Sequence, residues 1–188
     1  MCPRTEPMLT RLKAKLDYDD LAHAPDDGKQ YELLDGDLFV TPAPSPLHQR
    51  ASKRLQRQLE RYFEERHLGE VFNAPLDVIL TPRDVVEPDL VVVTDPQQIS
   101  RRGIEGAPAL VVEILSPSTA DRDRMLKAKR HEATGILHYW IVDLESKHLD
   151  CSRLTDRQYA LVASATGHQP FQHPDWPDLH LDPRELWA

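Results

Sequence analysis

Two strand-length apolar runs constrain this chain more than anything else in it. Leu90-Val91-Val92-Val93 and Ala109-Leu110-Val111-Val112-Glu113-Ile114-Leu115 are short, rich in β-branched residues and show no polar alternation. Such runs are typical of strands covered on both faces, so the fold needs a sheet with further layers packed against it. An acid accompanies each run: Asp89 heads the first and Glu113 stands inside the second. A carboxylate in that setting carries a large desolvation cost unless it is ion-paired, hydrogen-bonded or bound to metal. Two such acids on strands that pair can converge on one point. Oxygen ligands of this kind suit a hard divalent cation such as magnesium, which polarises a phosphoryl oxygen and acidifies a bound water. Each acid also has a plainer reading. Asp89 follows Pro88 and could cap a turn, and Glu113 could pair with an arginine or lysine.

The flanking sequence supplies the other layers. Asp17, with Asp20 three residues on, predicts a helix N-terminus, and Pro25 with Asp26-Asp27-Gly28 keeps that helix short. YELLDGDLFV is a hairpin signal, because Asp35-Gly36 favours a type I′ turn between apolar arms. Ser45 and Pro46 open a helix running to about His67 and stopped by Gly69. Ala51, Leu55, Leu59 and Tyr62 form its buried stripe. Arg50, Arg54, Arg57 and Arg61 form a second stripe, readable either as a solvated face or as a contact for phosphates. EVFNAPLDVIL reads as one strand and TPRDV as the turn after it. SPST then caps a helix from about Thr119 to Thr134, closed by Gly135. HYWIVDL is another buried strand, LDCSRL and QYALVA form an edge hairpin around Thr155-Asp156, and the Pro-rich tail lays Trp176 and Trp187 over the core. The order predicts an α/β (α+β) fold: a mixed central β-sheet flanked by helices, with an N-terminal hairpin and an edge hairpin. Residues 1–16 are expected to be a tail and 17–188 a single domain.

Composition narrows the function. Sixteen prolines against seven glycines exclude a simple helical bundle. Cys2 and Cys151 cannot supply a disulfide framework and lack the close spacing of a zinc site, so both are expected to be reduced thiols. No signal-peptide core and no apolar run of membrane-spanning length is found, which points to a cytoplasmic protein without membrane contact. The formal charge of −8 means that any phosphate contact must come from a local basic patch or a bound metal. There is no Gly-rich phosphate loop and no GxSxG elbow. The histidines show no ligand spacing in the sequence, and His131 and His138 do not form an HExxH pair.

The strings EPDLVVV and ALVVEILSPST resemble the Pro-Asp and Glu-x-Lys half-motifs of the PD-(D/E)XK nucleases. With YELLDGDLFV, PSPLHQR, GEVFNAPLDVIL, DRDRMLKAKRHEATGILHYWIVD and DLHLDPRELW in this order, nearly the whole chain resembles the bacterial restriction-endonuclease-like family usually called Uma-two. The resemblance implies a restriction-endonuclease-like fold. It implies that Asp89 and Glu113 bind metal, Mg2+ or Mn2+, with the main-chain carbonyl of Ile114 as a third ligand and Glu32 close by. Where the superfamily motif has lysine, this chain has Leu115. The family lysine is then matched by Lys127 on the following helix, with Lys129 as the fallback. From there its charge could stabilise a developing phosphorane; the plainer reading pairs Lys127 with Asp123 on an exposed face. His48 matches a family position that could contact phosphate or position an acid, though a lone helical histidine also serves as a structural hydrogen-bonder.

The expected activity is therefore metal-dependent endonucleolytic hydrolysis of DNA, with Asp89, Glu113, Lys127 and Glu32 at the reacting centre. His48 and the arginine stripe are expected along the nucleic acid, and self-association as a homodimer or higher oligomer is expected through the edge hairpin. The alternative is a nuclease fold retained as a nucleic-acid-binding or oligomeric interaction module.

Overall fold

The computed structural model describes residues 15–115, 120–167 and 171–187, with side chains at 120–124 outside that description. The expected tail at 1–16, Cys2, the cap at Ser116–Thr119 and the side chain of Asp123 thus lie largely or wholly outside the described residues. Helix α1 (Tyr18–Leu21) is closed by the capping box expected from its sequence: the Asp17 carboxylate accepts from the amides of Asp19 and Asp20, and Asp20 caps back. Strands β1 (Gln30–Leu34) and β2 (Asp37–Thr41) form the N-terminal hairpin, with Asp35 and Gly36 at φ +51° and +73° as a type I′ turn requires. A Cβ on Gly36 would also lie 2.8 Å from Cβ of Lys15, so the turn needs glycine for space as well as for φ.

Helix α2 (Pro46–Phe63) starts at Ser45, whose hydroxyl accepts the His48 amide, and buries Ala51, Leu55, Leu59 and Tyr62 as expected. It ends at Phe63 rather than near His67; residues 64–67 continue as turns. The segment EVFNAPLDVIL is not one strand. Pro75 has no amide to give a ladder, and the chain changes sheets there. Strand β3 (Glu70–Asn73) pairs with β6 (Leu90–Val93), whereas β4 (Val78–Thr81) pairs with β5 (Asp84–Val86) and with the short β7 (Ile104–Glu105). TPRDV is accordingly the tight connection of the β4–β5 hairpin plus the start of β5.

Strands β8 (Leu110–Ile114) and β9 (His138–Asp143) run parallel, and α3 (Ala120–Thr134) is the crossover that a parallel pair needs. The edge hairpin joins β10 (His148–Thr155) to β11 (Gln158–Thr166), turning on Asp156 and Arg157, both at positive φ. Helix α4 (Pro183–Trp187) closes the chain. Two mixed sheets result: a six-stranded one in the order β11-β10-β9-β8-β6-β3, and a five-stranded one in the order β2-β1-β5-β4-β7. The largest core lies between the six-stranded sheet, α2 and the C-terminal segment, around Trp140, Leu59, Leu110 and Leu186. Trp176 and Trp187 pack against it as expected.

Candidate active site

Between β3 and β6 the chain crosses from the six-stranded sheet to the five-stranded one and back, at Ala74–Asp77 and at Glu87–Asp89. The crossings touch, because the Ala74 amide donates to the Asp89 carbonyl at 3.2 Å. Every acidic side chain of the candidate site stands at or beside these crossings. In the β6–β8 ladder Leu90 faces Val112, and the same register continued by one residue sets Asp89 opposite Glu113. Opposite residues of an antiparallel pair project to the same face. The Asp89 carboxylate accepts the Ile114 amide at 2.7 Å, which fixes it against the end of β8.

His48 reaches the same spot from the first turn of α2. Its Nε2 lies 3.0 Å from the Ile114 carbonyl and 3.2 Å from Oδ2 of Asp89. A carbonyl can only accept, so Nε2 carries the proton. His48 Nδ1 is buried without a hydrogen-bond partner. Burial opposes charge on this imidazole, but the hydrogen bond and charge of Asp89 outweigh it and raise its pKa.

Glu32 comes from the other sheet, on β1. It accepts the Glu87 amide at 2.9 Å, and Lys127 Nζ lies 2.9 Å from its Oε2 and 3.1 Å from Oε1 of Glu113. One ammonium on α3 therefore ties a carboxylate of each sheet together. The Lys127 side chain is only 16% exposed, so it does not sit on an open helix face; Lys129 does. Burial works against the charge of Lys127, but Glu113 and Glu32 more than compensate and hold its pKa above the ordinary lysine range. Glu113 is shifted upward, first by burial, then by the neighbouring charges of Glu32 and Asp89, with Lys127 pulling the other way. Asp89 and Glu113 each keep 13% side-chain exposure, whereas Glu32 keeps 3%.

A fourth acid was not singled out from sequence. Glu87 accepts the Tyr31 amide at 3.3 Å, and its pKa is pushed up to about 7, mainly by burial and further by Asp77 and Glu32. Its position immediately before Pro88-Asp89 was the only available signal. The donor set fits a hard divalent cation: carboxylates and a main-chain carbonyl crowd one notch, and among the described residues Lys127 and His48 offset their charge. The arginine stripe is not part of this notch by any described contact. Arg50, Arg57 and Arg61 are exposed, and Arg54 donates from Nη1 to the Glu185 carbonyl of α4 at 3.0 Å.

Comparisons with known proteins agree with this architecture. A family model described as "Uma2: Putative restriction endonuclease" matches residues 17–184. The crystal structure of "a putative nuclease belonging to DUF820" from Anabaena variabilis ATCC 29413 superposes with a TM-score of 0.73, covering 92% of this chain and 97% of that one. The two are 17% identical, so this likeness establishes the fold. No curated protein matches the chain.

Proposed function

The chain belongs to the Uma2 family, and from that premise we propose that it is a divalent-metal-dependent nuclease hydrolysing DNA phosphodiester bonds. The observation that carries the proposal is the convergence of Asp89, Glu113, the Ile114 carbonyl and Lys127 at the crossing between the two sheets. Asp89, Glu113 and the Ile114 carbonyl would hold Mg2+ or Mn2+. A cation so held supplies Lewis-acid polarisation of the phosphoryl oxygen and acidifies a bound water.

The chain's own groups do the rest. Asp89 is oriented by the Ile114 amide and by His48, so its carboxylate is set before any ion arrives. Glu32 is too enclosed to meet substrate; it holds the Lys127 ammonium in place from the opposite sheet. That ammonium stays charged at neutral pH and supplies a fixed positive charge for the negative charge that develops on a phosphorane. The exposed arginines of α2 would contact the nucleic-acid backbone and so set position rather than read sequence.

A second reading, a nuclease fold kept as a binding module, is favoured by Leu115 at the usual lysine position and by the net charge of −8. Plasmid nicking and calorimetry with Mg2+ and Mn2+ separate the two. Wild type is expected to bind one of the ions and nick supercoiled DNA. Asp89→Asn and Glu113→Gln are expected to abolish binding, and Lys127→Met to lower cleavage about 10²-fold or more while ion binding survives. If wild type binds neither ion at millimolar concentration and leaves the plasmid intact, the enzyme reading is wrong.

A further inference from the structure

A second cluster of metal-ligating side chains lies away from the acidic notch, where the C-terminal segment crosses the six-stranded sheet. His138 opens β9. His173 and Asp175 belong to the segment after Phe171. One ligand atom from each of the three comes within 4.8 Å of the other two. His138 is 4% exposed and His173 is fully buried. The Asp175 carboxylate is 28% exposed and forms the mouth of the cluster.

The polar groups of the two rings are poorly satisfied. His173 Nδ1 accepts the Asp175 amide at 3.2 Å, so its proton sits on Nε2, which is buried with no partner. His138 Nε2 lies 4.0 Å from Oδ2 of Asp175, beyond hydrogen-bond range, and His138 Nδ1 is also buried without a partner. Buried imidazoles ordinarily bond both nitrogens or occur where something else needs them. Aromatic rings enclose the pair: Trp176 stacks on His173 with centroids 4.5 Å apart, and Trp140 lies 5.5 Å from it. These rings offer no acceptors to rescue the imidazoles. Arg153, opposite His138 in the β9–β10 ladder, donates to Oδ1 of Asp175 at 2.6 Å. That bond fixes the carboxylate and leaves Oδ2 on the histidine side.

We propose that His138, His173 and Asp175 form a second metal site, selective for zinc or a similar borderline transition ion, that pins the C-terminal segment to the sheet. Two imidazoles and one carboxylate are a donor set for Zn2+, Co2+ or Ni2+, whereas magnesium favours all-oxygen sites. The two sites would therefore sort metals by ligand type: the oxygen-rich notch for a hard cation, the histidine cluster for a softer one. Ligand atoms of a tetrahedral zinc site stand roughly 3.3 Å apart, given Zn–N bonds of about 2.0 Å. The ligand atoms lie within 4.8 Å of one another, so a closure of up to about 1.5 Å is needed, and ligation through His173 Nε2 would move its proton to Nδ1 and give up the bond from the Asp175 amide. Solvent on the Asp175 side would complete the coordination.

The test uses the full chain, stripped with chelator and then held in millimolar Mg2+ so that the acidic notch is occupied. Zinc is added alone, and bound zinc per chain and the melting temperature are measured. Wild type is expected to take up one zinc and to melt higher with it. Asp175→Asn, a change on an exposed turn that keeps the side-chain shape, is expected to weaken zinc binding at least tenfold and to erase the thermal shift. Glu113→Gln is expected to keep both. His173→Gln should match Asp175→Asn. A cobalt titration of wild type adds a readout free of any folding change in the variants: intense visible absorption is expected from a low-coordinate nitrogen-ligated ion, with quenching of tryptophan fluorescence. The proposal is overturned if wild type takes up no zinc, if Asp175→Asn binds it as wild type does, or if Glu113→Gln loses it.

Discussion

Glu87 has one of the largest upward pKa shifts among the described acids, and its cause is plain. It stands at a crossing between two sheets, half-enclosed, with Glu32 and Asp77 nearby, and the Tyr31 amide and the Lys127 charge do not offset burial. Its pKa rises from 4.5 to about 7 in the folded chain, so the folded state binds the proton more tightly than the unfolded chain. The resulting stabilisation is complete below about pH 4.5 and disappears as pH rises through about 7. Glu87→Gln should remove this dependence. In chelator, the stability of wild type relative to the variant is expected to fall by on the order of 2 kcal/mol between pH 4.5 and pH 8, measured by urea unfolding. Equal pH profiles for the two proteins would show that Glu87 does not titrate in this window. At the same scale, Asp89 and Glu113 were readable as acids in apolar surroundings and Glu32 through the family resemblance, but Glu87 was not. Nothing in a Glu-Pro-Asp string tells which of its carboxylates will be enclosed.

At the scale of elements, α3 does most to hold the site together. Lys127 and Arg130 are three residues apart and so share a helix face. The first pairs with Glu32 and Glu113. The second makes two bonds to Asp84, Nε to Oδ1 at 2.8 Å and Nη2 to Oδ2 at 2.6 Å. Asp84 is nearly sealed and also accepts from the Thr81 hydroxyl and the Asp35 amide. Burial works against its charge, but Arg130 and these donors hold its pKa below the ordinary value. That stabilisation is present above the unfolded pKa and is lost as pH falls below it. Arg130→Met leaves a buried carboxylate without its cation and is expected to cost about 2–3 kcal/mol in unfolding free energy at pH 7, with the deficit shrinking towards pH 3. A loss under 0.5 kcal/mol would mean that the remaining donors suffice. Element boundaries were legible where a local signal sets them: the Asp17 capping box, the Asp35-Gly36 turn and the Ser45 cap each act within four residues. The break at Pro75 carried a local warning too, but not where the chain goes next. β4 pairs locally with β5, but the place of that hairpin in the sheet rests on partners more than twenty residues away: Leu33 opposite Val85 and Ile104 opposite Val78.

For the whole molecule, the C-terminal segment is a lid on the main core. Phe171, Leu179, Leu181 and Leu186 are each buried, and they cover the Trp140 and Leu59 region. At about 1.5–3 kcal/mol per buried side chain, four of them contribute about 6–12 kcal/mol, comparable to the entire stability of an ordinary domain. A chain truncated after Gly167 is therefore expected to lose cooperative thermal unfolding and to bind ANS strongly. A cooperative melt in that truncation would show that the rest of the fold is self-sufficient. No helix among the described residues is long and apolar enough to cross a membrane.

By itself the sequence determined the double-covered strands Leu90–Val93 and Leu110–Ile114, the amphipathic stripe of α2, the hairpin turn and the identity of the two central acids. These follow from signals that act over a few residues: periodicity, capping, turn chemistry and the cost of isolating a charge. Only the tertiary structure decided that the chain changes sheets at Pro75 and Pro88, that Lys127 rather than Lys129 meets Glu113, and that His138, His173 and Asp175 come together. Those outcomes depend on which distant segments pack together, and long-range packing energy is spread over many residues, none of which carries the answer in its own neighbourhood.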